Sequence, residues 1–140
     1  MQREILIKLI KDNSELYHED DLRNYSDKQL QQIKDSLLLE VKSKLKIKKA
    51  ISQYKKVIVI YSSQSCVACI SFLPKLIEIT KEEQYKNCHF LEIDAKENPH
   101  VEKIITSFQT PFVIRYDNGF ISESKIIKSE GIFRLLLDFS

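Results

Sequence analysis

With 140 residues, 43% hydrophobic and 30% charged, the chain is long enough and apolar enough for one domain with a real core, which excludes disorder over most of its length. A formal net charge of +2 gives no reason by itself to expect a nucleic-acid partner. There is no run of about 18 apolar residues to span a membrane and no apolar segment of signal-peptide type at the start, so the expected location is cytoplasmic unless a leader lies outside this sequence.

The first 25 residues read poorly. Ile5, Ile7 and Ile10 suit either a strand or a helix, and the acidic stretch Asp12, Glu15, Glu19, Asp20, Asp21 suits a loop or short helix. Ser26-Asp27-Lys28-Gln29 is a capping box, in which a serine oxygen accepts from the amide three residues on and the glutamine answers. Leu30, Ile33, Leu37, Val41 and Leu45 then form one apolar stripe, predicting a helix from Ser26 to about Tyr54 with a change of phase near Ile47. Lys42, Lys44, Lys46, Lys48, Lys49, Lys55 and Lys56 make its last part and the residues just after it basic: a solvated face, or a patch for an anionic membrane or an acidic partner.

Val57-Ile58-Val59-Ile60-Tyr61 has the β-branched texture of a strand buried on both faces. After a polar loop, 62–65, a helix is expected from Cys66 to about Glu82, then a strand over Cys88–Ile93. A helix opened by Asn98-Pro99 follows, and Phe112–Tyr116 forms a third strand. Asp117-Asn118-Gly119 predicts a hairpin, because its turn needs positive φ. A fourth strand covers about 120–127, and Ser129 caps a last helix carrying Ile132, Leu135, Leu136 and Phe139. The order β-α-β-α-β-β-α predicts a mixed α/β sheet, its first three strands parallel and its last antiparallel.

The three cysteines are Cys66, Cys69 and Cys88, an odd number that argues against a secreted disulfide framework. Cys66-Val67-Ala68-Cys69 stands between a strand and a helix, where free backbone N–H groups and the helix dipole favour a thiolate on the first cysteine. Such settings lower a cysteine pKa from about 8.5 to roughly 3.5–7.5, and the thiolate is the attacking species. Cys66 is therefore the expected nucleophile. Cys69, one turn inward and less exposed, is the expected resolving thiol. Two inert core thiols are the bland alternative. Zinc is the sharper one, but it needs two more ligands, and Cys88 and His89 as successive strand residues point to opposite faces, with His18 and His100 isolated. No metal is expected in a single chain, and Cys88 reads as a small buried residue. Pro111 is either an ordinary strand-entry proline or a cis-proline facing the disulfide, where Thr110 could offer its backbone to an extended substrate. Pro74, five residues after Cys69, predicts a helix kink.

From about residue 50 onward the chain resembles the thioredoxin family. The matching features are the apolar strand before Cys66–Cys69, Pro74, Ile93-Asp94 followed by Asn98-Pro99, Thr110-Pro111 before a strand, and Asn118-Gly119 in a hairpin. The resemblance implies a thioredoxin-like fold over residues 51–140 with a mainly helical extension over 1–50. It further implies disulfide exchange by Cys66 and Cys69 with a thiol- or disulfide-containing protein, recycling by a reductase or oxidant, no cofactor, and a cis-proline at Pro111. A family member usually begins with a short strand and a helix, and here any first strand would come from about residues 3–10. The chain also departs from the family pattern: Ser65 stands where a tryptophan is usual, Val67-Ala68 replace Gly-Pro, and Ile60 occupies the place of the buried acid that helps deprotonate the resolving cysteine. These departures point to a thioredoxin-like specialist rather than a general reductase. A binding module that uses the fold without its thiols, and a redox sensor acting on the N-terminal helix, are the other two readings.

Overall fold

The computed structural model describes residues 2–14 and 17–138; Glu15 and Phe139 lie outside them. The described chain forms two compact units, residues 1–44 and 45–140, and helix α3 contributes to both.

In the first unit, α1 (Gln2–Asn13) and α2 (Glu19–Arg23) precede α3 (Asp27–Gln53). The ambiguous start is thus a helix, and no first strand forms over 3–10. Spacing gives the reason. Ile7 and Ile10, three apart, fall on one helical face and are buried with Leu22 and Leu30, while Ile5 is exposed. Arg23 joins Glu4 at 2.7 Å and Glu19 at 2.8 Å, and Arg3 joins Asp27 at 2.9 Å. The capping box is present with both of its bonds, Gln29 N–H to Ser26 Oγ at 3.2 Å and Ser26 N–H to Gln29 Oε1 at 2.8 Å. The α3 stripe is shorter than expected: Leu30, Ile33 and Leu37 pack in the first core, while Val41 and Leu45 are exposed.

The second unit holds a four-stranded sheet of order β2-β1-β3-β4, made of β1 (Lys56–Ser62), β2 (Cys88–Asp94), β3 (Phe112–Asp117) and β4 (Phe120–Ile126). Helix α4 (Val67–Thr80) links β1 to β2, α5 (Pro99–Phe108) links β2 to β3, and α6 (Glu130–Asp138) follows β4. Val57, Val59 and Tyr61 pack on one face with Ala50, Ile47 and Ile51 of α3 and with Val101 and Ile105 of α5. Ile58 and Ile60 pack on the other with Leu76 and Ile79 of α4 and Phe133, Leu136 and Leu137 of α6. Burial of each such side chain contributes about 1.5–3 kcal/mol, which explains why β1, apolar on both sides, is the centre of the fold. The change of phase near Ile47 marks the turns of α3 that meet the sheet.

One strand direction differs from the expectation. β2 is parallel to β1, but β3 is antiparallel to it, and β4 is antiparallel to β3. The register explains this. The α4 connection returns the chain to the start of β1, pairing Lys56 with Cys88. The α5 connection begins and ends at the finish of β1, where Ser62 pairs with Asp94 and Tyr61 with Phe112. A connection that leaves and re-enters the sheet at the same end of its strands is no parallel crossover, so the next strand must run the other way.

At the start of β1 the buried Arg115 joins Asp117 through two bonds, of 2.8 and 3.1 Å, and reaches the carbonyls of Leu136 and Leu137 at the end of α6 at 2.8 and 3.2 Å. A cation there satisfies carbonyls that the helix leaves open. A bulge between β3 and β4 sets Ser122 opposite this pair, where its hydroxyl bonds Asp117. Burial would raise the Asp117 carboxyl, but Arg115 and Ser122 outweigh it and hold the pKa below its ordinary value.

Candidate active site

β1 ends at Ser62, and the next turn is tied by hydroxyls. Ser63 Oγ and Ser65 Oγ are 2.8 Å apart, Ser65 N–H donates to Ser63 Oγ at 3.3 Å, and Cys66 N–H donates to Ser63 O at 3.1 Å. This compact turn delivers Cys66 to the cap position of α4 with extended backbone. Its sulfur stands where a serine or aspartate oxygen usually caps a helix, and it accepts the Cys69 N–H at 3.0 Å. Cys69 lies on the first turn and is joined to Cys66 by a disulfide, the Cα atoms 5.2 Å apart.

The surroundings are unlike the expectation in one respect. Cys69 is the less exposed of the two, but Cys66 is buried as well: the two are 1% and 2% exposed. Both belong to the apolar core of the β1 face, with Tyr61, Ile93, Ala95, Val101 and Ile105. The helix mouth around them is nevertheless open, because Val67 is 79% exposed and Ile70 59%. Two recesses reach the sulfur-bearing residues. A cleft of about 250 Å³ is lined by Cys69 with Ser62, Ser63, Gln64, Leu73 and Pro74. A smaller one, of about 60 Å³, is lined by Cys66 with Ser65, Ile105, Thr106 and Gln109. Pro74 sits inside α4 as expected, with no N–H for the helix ladder. Ile60 is buried among apolar side chains on the other sheet face, so the position of the family's acid carries no proton acceptor.

Thr110 and Pro111 enter β3 at the finish of β1, the same end of the sheet as Cys66, and Pro111 O accepts from Ile127 N–H at 2.8 Å. The peptide bond before Pro111 is trans, contrary to the cis-proline expected there; among the described residues no peptide bond is cis. Trans is the lower-energy form for X–Pro by about 0.5–1 kcal/mol. The reversal of the chain is made one residue earlier, where Gln109 takes the left-handed conformation at φ 54° and ψ 33° and ends α5. Thr110 Oγ1 is buried without a hydrogen-bond partner among the described residues.

Tyr61, packed near Phe112, has its phenol pushed up to about 12, chiefly by burial, with Tyr116 adding to the shift and a bond from Asn98 opposing it. It is therefore uncharged beside the cysteines at neutral pH. Cys88 and His89 do face opposite sides: Cys88 packs toward α4 and α6 with its thiol pKa raised, mainly by burial, and His89 stacks on Tyr54. The serine pair and Gln109 were not singled out from sequence. Ser-x-Ser before a helix is a recognisable turn signal, but nothing in a glutamine announces positive φ.

No family model matches the chain, and no curated protein matches its sequence. Solved structures do match. Plasmodium falciparum thioredoxin superposes with a TM-score of 0.53 at 22% identity, over 67% of this chain and 90% of that one. Mitochondrial thioredoxin 3 from Saccharomyces cerevisiae gives 0.54 at 17% identity, over 66% and 86%. A structure concerned with thiol resolution in yeast mitochondrial 1-Cys peroxiredoxin through glutathione and thioredoxin systems gives 0.54 at 16%. With its mixed sheet, its flanking helices and a Cys-x-x-Cys pair at disulfide distance where β1 meets α4, this chain has the thioredoxin fold.

Proposed function

We propose that the chain is a thiol-disulfide oxidoreductase acting on a protein partner through Cys66 and Cys69. The observation that carries this reading is Cys66 at the cap of α4, its sulfur accepting a backbone N–H and already bonded to Cys69. In the reduced protein the same donor and the helix dipole favour a Cys66 thiolate. That thiolate attacks one sulfur of a partner disulfide, forming a mixed disulfide and releasing the partner's other sulfur as a thiolate. Cys69 then gives up its proton to solvent through the adjacent cleft and attacks Cys66 Sγ. The Cys66–Cys69 bond forms, the partner leaves as a second thiolate, and two electrons have passed to it. In the opposite direction the disulfide oxidises a partner dithiol. A cellular reductase or oxidant restores the starting state.

Thr110 and Pro111 are the proposed substrate-binding segment, with the Thr110 main chain pairing with an extended stretch of the partner. Residues 51–140 form the catalytic domain in this reading, and 1–50 a helical extension that adds partner specificity. The cytoplasm is the proposed compartment. Among the described residues no helix is long and apolar enough to cross a membrane. The buried Ile60 supports a specialist over a general reductase.

Insulin-disulfide reduction tests the proposal. Cys66→Ser should abolish it, and Cys69→Ser should accumulate a mixed disulfide that thiols release. Full activity in Cys66→Ser would overturn the reading. A second reading, a binding or redox-sensing module with little reductase activity, is favoured by the burial of both cysteines. It expects both serine variants to keep partner binding, and the sensor form expects reductant to change the proteolysis pattern of residues 1–50.

A further inference from the structure

The sheet has an outer edge that the proposed redox chemistry does not use. β2 is terminal in the strand order, so one side of Cys88–Asp94 has no pairing strand among the described residues. His89 and Leu91 are half-buried there, and so is Phe90 on the opposite face. Beside this edge runs an open groove of about 280 Å³, lined by Lys46, Lys49, Ala50, Gln53, Tyr54, His89 and Leu91. Tyr54, 44% exposed, lies flat on the His89 ring, with centroids 4.1 Å apart and planes 3° from parallel. Neither Lys46 nor Lys49 is in an ion pair among the described residues, and Lys48, Lys55 and Lys56 are exposed in the same basic stretch.

We infer that the outer edge of β2 and its lysine groove dock an extended, acidic segment of a partner protein by strand addition. An unpaired strand offers a row of N–H and C=O groups that an extended peptide satisfies. Side chains of an added strand alternate between the two faces. On the His89–Leu91 face they meet Lys46 and Lys49, so acids fit there. On the Phe90–Glu92 face they meet an aromatic ring and a carboxylate, so apolar residues fit there. The recognised pattern is therefore acid alternating with an apolar residue. A second copy is the poorer occupant, since pairing β2 with β2 would bring two lysine grooves together and place like charges within a Debye length of about 8 Å. The chain's own acidic run cannot serve as it stands, because Glu19–Arg23 is helical and Glu19 is held by Arg23. This inference stands apart from the thiol chemistry.

The test is a fluorescence-anisotropy titration of the full chain against a labelled peptide of alternating glutamate and valine. One control peptide has the valines replaced by proline, which keeps the charge and removes backbone donors. Saturable binding that falls with added salt is expected, with no saturation by the proline peptide. The double variant Lys46→Glu, Lys49→Glu should weaken binding at least about tenfold. Lys75→Glu with Lys103→Glu, the same charge change away from the groove, should leave it near the wild-type value. All four lysines are exposed, and circular dichroism checks that both variants fold. Failure of the alternating peptide to saturate would overturn the inference, as would equal loss in the two variants or equal binding of the proline peptide. So would sedimentation of the chain as a dimer that the peptide disrupts, or groove-dependent binding to phosphatidylserine vesicles with none to peptide. Insulin reduction by Lys46→Glu, Lys49→Glu should equal wild type, which separates this result from any failure of the thiol assignment.

Discussion

The two ends of β1 are built on opposite principles. At its start, every polar group of the Arg115 cluster has a partner: Asp117 takes two bonds, two carbonyls of α6 take two more, and Ser122 closes the carboxylate. At its finish lie the groups of the proposed site, and one of them is left without a partner. The Cys66–Cys69 disulfide lies at an open helix mouth, and Thr110 Oγ1 is buried with no partner among the described residues. Buried polar groups are normally satisfied, and the exceptions ask for an explanation. One end holds the sheet and α6 together; the other holds the proposed redox pair in place.

Substitutions at each end should separate these roles. The largest effect on activity is expected from Cys66→Ser, which should remove insulin-disulfide reduction altogether while moving the midpoint of denaturant unfolding little. Arg115→Met should do the reverse. It leaves a half-buried carboxylate and two helix carbonyls without their cation and should cost about 3 kcal/mol of stability in urea unfolding, near the lower end for a broken buried pair because Asp117 keeps some solvent. Thiol reactivity of the folded variant should be unchanged, and a parallel loss of both would erase the contrast.

Asp117→Asn should cost less and should report through pH. The Asp117 pKa is depressed in the folded state, so its contribution is present above the unfolded value of about 3.9 and disappears as pH falls through the folded value. Unfolding measured between pH 7 and pH 2 should thus show a shallower acid limb in Asp117→Asn than in wild type. Ser26→Ala, at the start of α3 in the first unit, should cost about 1 kcal/mol through the lost cap. The smallest effect belongs to Glu82→Gln. The Glu82 carboxyl, drawn down to about 2 mainly by its bond to Arg134 and further by Gln84, is about one-third exposed to solvent; its small contribution should fade with salt and with falling pH below the ordinary glutamate range.

Much of this contrast was legible before the structure. The capping box, the Cys66 position before α4, the Asn118-Gly119 turn and the Ser129 cap are local patterns, each set by a few adjacent residues, and the structure contains each of them. Three other features were out of reach for a shared reason. The direction of β3, the trans bond before Pro111 with its turn at Gln109, and the burial of Cys66 all depend on what stands across from a residue rather than beside it. Arg115 is the clearest case: an arginine within an apolar strand reads as a misfit until the end of α6 arrives 21 residues later to meet it.

Periodicity and capping chemistry, which act over one helical turn or one strand, were enough to determine the helices and strands from Ser26 onward, the apolar centre at β1 and the placing of the cysteine pair. Tertiary packing alone decided strand direction, the exposure of the sulfurs, the clefts that reach them and the open edge at β2. Those are properties of surfaces brought together from distant parts of the chain, and no local run of residues encodes which surface it will meet.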